Sequence, residues 1–201
     1  MSTSTSRKAP QPTADRTAGP PARAGRSPYD SPLVHRTAAV IRLSIAFVFL
    51  WAFFDKLFAL GHETGKDAKT GVTSLFGPAA WIHGGSPTKG FLSHATGPFS
   101  GMYGAMAGAG WANWLFMLAL LGIGGALAFG VASRLATTSG VLLLVLMWSA
   151  ALPPSSNIFM DDHLIYAMTL VLIAGLGAGH TWGLAAAYER LSIVRRFPVL
   201  R

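Results

Sequence analysis

Four apolar segments, each close to 20 residues long, constrain this 201-residue chain more than any other feature. They cover approximately residues 37–60, 112–132, 135–152 and 164–184. A helix that crosses a ~30 Å hydrocarbon core needs about 20 residues. Only 12% of the chain is charged, against about 25% in a typical soluble domain, so too little polar surface exists to enclose four such helices in water. The expected fold is all-α: an integral membrane four-helix bundle. Ser133-Arg134 separates the second and third segments so briefly that they must form an antiparallel hairpin, and Pro153-Pro154 stops the third.

The positive charges report orientation. Arg7, Lys8, Arg16, Arg23, Arg26, Arg36, Arg42, Arg134, Arg190, Arg195, Arg196 and Arg201 fall on one side, against Lys56, Lys66, Lys69 and Lys89 on the other. Cytoplasmic loops carry the excess of Lys and Arg, so both termini are expected in the cytoplasm, with a long outer loop between the first two helices. The net charge of +8 then reads as topology and attraction to anionic lipid, and nucleic acid is not an expected partner. With no cysteine, disulfides, thiolate catalysis and Cys-ligated metal centres are excluded.

Three regions follow. Residues 1–36, rich in Ser, Thr, Pro, Ala and Arg, read as a disordered basic tail without the apolar run of a secretory signal. Residues 37–187 form the membrane domain, and residues 188–201 a second basic tail. The loop 62–110 is long for a small bundle, and long loops inside compact domains are usually functional or flexible. Its Trp, Phe and Ile content suggests that it lies on the outer face, with a short helix near residues 98–109.

The first helix has only 12 uncharged residues in a row, 43–54, about 18 Å at 1.5 Å per residue. Arg42, Asp55 and Lys56 must therefore sit in or beside the hydrocarbon. Arg42 is expected to snorkel to the interface. Asp55 is too short to do so, and such groups usually face the interior with a partner. At the start of the fourth helix, one acid of Asp161-Asp162-His163 serves as a helix-start residue. Asp161 or Asp162 is a candidate partner for Lys56, and His163 could exchange protons near neutral pH. Tyr166 lies one turn further on the same face.

Phe47, Phe49, Trp51, Phe53, Phe54 and Phe58 suit either packing with an aromatic belt or a flat apolar ring such as a quinone. His83 and His94 read as loop histidines. No His-x-x-x-His spacing exists, and no metal, flavin or haem site is expected. Gly122, Ala126 and Gly130 form a small-residue stripe for close helix packing.

These residues together resemble the DoxX/DoxD family of four-helix membrane proteins. The similarity rests on Arg42, on Trp51-Ala52-Phe53-Phe54-Asp55-Lys56, and on Ser86-Pro87-Thr88-Lys89-Gly90-Phe91-Leu92. Gly130-Val131-Ala132-Ser133-Arg134 and Asn157 with Asp162-His163-Leu164-Ile165-Tyr166 complete it, over residues 36–187. The DoxD branch is known as the membrane subunit of thiosulfate:quinone oxidoreductase. The resemblance implies a quinone-linked oxidoreductase subunit acting on a small sulfur oxyanion at the outer face of a bacterial or archaeal plasma membrane. Asp55, Lys56, Asp162 and His163 would be its catalytic groups, with Lys56, Lys89, His83, Trp51 and Tyr166 around the substrate and quinone as co-substrate. Besides the lipid bilayer, a second subunit or a homo-oligomer is an expected partner. The alternative is a non-catalytic accessory or anchoring subunit of a redox complex, in which the same charges hold the bundle together.

Overall fold

In the computed structural model, described for residues 31–67, 69–154 and 157–200, all regular structure is helical apart from one isolated bridge between Lys66 and Thr73. The order is α1 (Pro32–Phe58), α2 (Lys89–Leu92), α3 (Ser100–Met106), α4 (Gly110–Phe129), α5 (Ser133–Ala150), α6 (Asp162–Gly175), α7 (Ala185–Tyr188) and α8 (Ser192–Arg196). Three of these, α1, α4 and α5, are long and apolar enough to cross a membrane. At 1.5 Å per residue they measure about 40, 30 and 27 Å.

α1 packs on α4, α4 on α5, and α5 on α6, which returns to α1. Their shared core contains Phe49, Phe53, Met117, Leu120, Leu144 and Leu170. Other large apolar side chains, Phe47, Leu115, Leu118, Leu142 and Val171 among them, are exposed. An apolar exterior around apolar helices is a lipid-facing surface, and the chain is accordingly a membrane protein. Apolar burial does not drive helices together in lipid; close packing does. A Cβ on Gly124 would lie 2.8 Å from Leu50 Cγ, and one on Gly140 would lie 2.6 Å from Leu170 Cδ1. Those glycines set the α1–α4 and α5–α6 contacts. Gly122 of the expected stripe has open space beside it, because it lies on another face of α4.

Helix ends differ from the sequence expectation in two places. α1 begins at Pro32, inside the segment assigned to the tail, because Ser31 caps it by accepting from Leu33 N–H and proline is tolerated at the first helical position. Residues 1–30 of that tail lie outside the described residues. The fourth apolar segment does not run helically to residue 184. α6 has 14 residues, about 21 Å, and stops at Gly175. Gly177 then takes a left-handed conformation (φ 62°) and leads into a 3-10 turn at Ala178–His180. Gly179 passes so near the α4–α5 turn that a Cβ there would meet the Gly130 carbonyl at 2.6 Å. The C-terminal segment also folds back: Val194 is fully buried, and Arg134 donates to the Pro198 carbonyl at 3.3 Å.

The long loop between α1 and α4 is built, not loose. It contains α2 and α3, the latter within the stretch where a short helix is expected. Asn113 Oδ1 in α4 accepts from Thr88 Oγ1 (2.7 Å), Ser86 Oγ (2.9 Å) and Thr88 N–H (3.2 Å), and Thr88 Oγ1 accepts from Gly108 N–H at 3.2 Å. Tyr103 OH pairs with Ser149 Oγ at 2.5 Å and bonds the Leu146 carbonyl at 3.2 Å. These bonds hold α2 and α3 over the ends of α4 and α5.

Candidate functional site

Beneath α2 and α3 lies an apolar cavity of about 120 Å³. Its lining includes Thr88, Phe91, Tyr103, Trp111, Leu115 and Phe116. Two of these rings connect it to titratable groups. The Lys56 ammonium sits 6.0 Å from the Phe116 ring centroid, a cation–π arrangement that favours a cation near an apolar wall. The Phe91 ring lies 6.5 Å from the imidazole of His163.

His163 opens α6 and is held by its neighbours. Its Nδ1 lies 2.7 Å from Asp161 Oδ2 and 3.4 Å from Asp162 Oδ1. A carboxylate only accepts, so Nδ1–H donates and Nε2 takes no part in these bonds. The second oxygen of Asp161 accepts from Leu164 N–H at 3.2 Å, the N-cap of α6. Asp161 therefore performs two tasks, while Asp162 points its carboxylate mostly to the exterior. Asp161, Asp162 and His163 offer three ligand atoms within 4.8 Å of one another. Tyr166 is half-buried one turn on and packs against the core.

The ion pair expected between Lys56 and Asp161 or Asp162 does not form: both acids turn to His163, and Lys56 has no ion-pair partner among the described residues. Asp55, almost fully buried, lies at the end of α1 and is engaged by the following loop. Its Oδ1 accepts from His62 N–H at 3.1 Å, and its Oδ2 accepts from Glu63 and Thr64 N–H at 3.1 and 3.0 Å. One carboxylate thus takes up three backbone donors of the loop that follows the helix. Asp55 and Lys56, adjacent in sequence, point to different partners.

Other candidates lie apart from the cavity. Trp51 is exposed and stacks on Phe47 with centroids 5.9 Å apart. His83 is exposed with Nδ1 3.2 Å from the Gly77 carbonyl, and His94 is exposed with Nδ1 2.7 Å from the Gly90 carbonyl. Lys89 opens α2 beside Thr88, with its side chain exposed.

No family model, curated protein or solved structure matches the chain.

Arg42 does not snorkel. It is 2% exposed and projects across the core to the far end of α4. One terminal nitrogen donates to the carbonyls of Leu127 and Ala128 (3.0 Å), and the other to those of Thr181 (3.3 Å) and Trp182 (3.1 Å). The free carbonyls at a helix C-terminus carry partial negative charge, and the planar guanidinium fork suits several acceptors at once. Sequence reasoning also passed over Asn113, Tyr103 and Ser149. A polar residue such as Asn113 inside an otherwise apolar run was the available signal.

Proposed function

We propose that the chain is a four-helix integral membrane protein, both termini cytoplasmic, acting as the membrane subunit of a quinone-linked oxidoreductase on a small sulfur oxyanion such as thiosulfate. One observation carries this reading: an apolar cavity bordered by two aromatic side chains that lie beside Lys56 and His163. Ligand sites of this kind are mostly apolar and aromatic with a few placed polar groups, which is the character of the space beneath α2 and α3. The resemblance to the DoxD branch and the arginine-rich inner side support the same assignment.

The chemistry balances without a group the chain lacks. Two thiosulfate ions join through a new S–S bond to give tetrathionate and release two electrons. The quinone accepts these with two protons and becomes quinol. Lys56 attracts the anion, and Phe91, Trp111 and Phe116 hold the ring. His163, fixed by Asp161, passes protons through Nε2. Whether electrons move directly or through a second subunit, this chain supplies the quinone end.

Binding of a short-chain quinone tests the site, read as quenching of tryptophan fluorescence. Ala119 lines the cavity, so Ala119→Leu fills it and removes the quenching. Unchanged quenching in that variant would place the quinone elsewhere. A second reading, a non-catalytic anchoring subunit, is favoured by Asp55, whose carboxylate is given over to holding the loop.

A further inference from the structure

The end of the bundle opposite the apolar cavity is crossed by the C-terminal segment, residues 181–200. Leu184 N–H donates to the Phe129 carbonyl at 2.8 Å, and Arg134 donates to the Pro198 carbonyl at 3.3 Å. Val194, in α8, is fully buried. These contacts tie the segment to the α4–α5 turn. Arg42 bonds the Trp182 carbonyl as well as those of Leu127 and Ala128, so Trp182 stands level with the end of α4. Because α4 is a helix of membrane-crossing length, its end marks the edge of the hydrocarbon.

The segment leaves two kinds of side chain exposed. Trp182, Leu191, Ile193, Phe197 and Val199 are 50–71% exposed. Arg190, Arg195 and Arg196 are exposed among them, and the Arg196 guanidinium lies 5.8 Å from the Phe197 ring centroid. Water disfavours five such apolar groups in one short segment, and hydrocarbon disfavours three arginines. The headgroup boundary of a bilayer accepts both. Apolar side chains enter the acyl region there, guanidinium groups stay among the phosphates, and tryptophan is enriched.

Charge selects the lipid. Arg36 and Arg134, exposed at the same end, bring the exposed arginines there to five. The only acid at this end among the described residues is Glu189, and His180 engages it at 3.2 Å. None of the five arginines has an ion-pair partner among the described residues. Near an anionic surface each Lys or Arg strengthens binding roughly fivefold, and the planar arginine fork pairs two donors with phosphate oxygens. We propose that residues 182–199 form an interfacial platform seated on anionic phospholipid headgroups through Arg190, Arg195 and Arg196. Trp182, Leu191, Ile193, Phe197 and Val199 enter the adjoining acyl region. The platform is independent of the quinone reading, since it lies at the other end of the bundle and shares no residue with it.

The test uses the full-length protein with one fluorophore beside the platform. The chain has no cysteine and Ser192 is exposed between Leu191 and Ile193, so Ser192→Cys supplies a single labelling site. The labelled protein is reconstituted in phosphatidylcholine discs with a small fixed fraction of spin-labelled lipid, either phosphatidylglycerol or phosphatidylcholine. Spin-labelled phosphatidylglycerol is expected to quench the fluorophore several-fold more strongly than its phosphatidylcholine analogue, and high salt to remove the difference. Joint substitution Arg190→Gln, Arg195→Gln and Arg196→Gln removes it as well. The salt arm reads the same claim with the three arginines intact, so a variant that fails to fold does not shelter the proposal. Equal quenching by the two lipids, or a preference that survives both high salt and the triple substitution, overturns it. Absence of quenching by either lipid also overturns it and leaves the surface in water, open to a protein partner.

Discussion

Asp161 grips His163 at 2.7 Å with one carboxylate oxygen while its other oxygen caps the helix that His163 belongs to. The imidazole is therefore oriented by the same residue that starts α6. His163→Ala is expected to lower thiosulfate-dependent quinone reduction by about 100-fold, with the protein still inserted and folded. Asp161→Asn keeps an acceptor for the cap but loses the charge that fixes the tautomer, so its turnover should fall while its melting temperature changes little. Parallel assays of turnover and thermal unfolding check both.

Arg42 joins parts of the chain that are 85 to 140 residues apart. Arg42→Leu leaves those carbonyls without donors and should cost roughly 1–3 kcal/mol. Arg42→Lys should recover part of the loss. Unfolding in mixed micelles measures the difference, and an Arg42→Leu protein as stable as wild type would contradict the bracing role.

Close packing at Gly124 leaves no room for a methyl group. Gly124→Ala is expected to destabilise by about 1–3 kcal/mol through overpacking against Leu50. Gly122→Ala, two residues along the same helix in open space, should be close to neutral. Equal effects at both positions would mean that α1 and α4 meet on another face.

In the loop between α1 and α4, Asp67 accepts from the Thr70 N–H and hydroxyl and from the Lys69 N–H, and these bonds hold its carboxyl below the ordinary carboxylate value of 3.8. A depressed carboxylate stabilises the folded turn above its unfolded pKa, and the contribution disappears as pH falls through the folded value. The contacts of Asp67 with Lys69 and Thr70 should therefore loosen only below pH 4. Exchange protection of the Lys69 and Thr70 amides against pH, lost at all pH values in Asp67→Ala, reads this directly.

Three of the four expected spans were legible because lipid imposes a length and an apolarity that the sequence reveals, and Asp161 was legible as a helix cap because capping is local. The role of Arg42 was not, since its acceptors lie beyond any local window and snorkelling fits the same position equally well. Likewise, the early stop of α6 depends on Gly177 turning left-handed and on Gly179 meeting Gly130, a contact between segments about 50 residues apart in sequence. For Lys56 the sequence pointed to Asp161 or Asp162, and for Asp55 to no particular partner. In three dimensions the loop claims the acid, and an aromatic ring from α4 receives the cation.

The most direct measurement is quinone reduction by the purified protein, alone and with whatever subunits co-purify, followed optically with thiosulfate present or omitted. Thiosulfate-dependent quinol formation is expected, with two thiosulfate ions consumed per quinol, and Ala119→Leu, which fills the cavity, is expected to abolish it. Absence of thiosulfate-dependent reduction in both preparations, with the protein folded and binding no quinone, would contradict it.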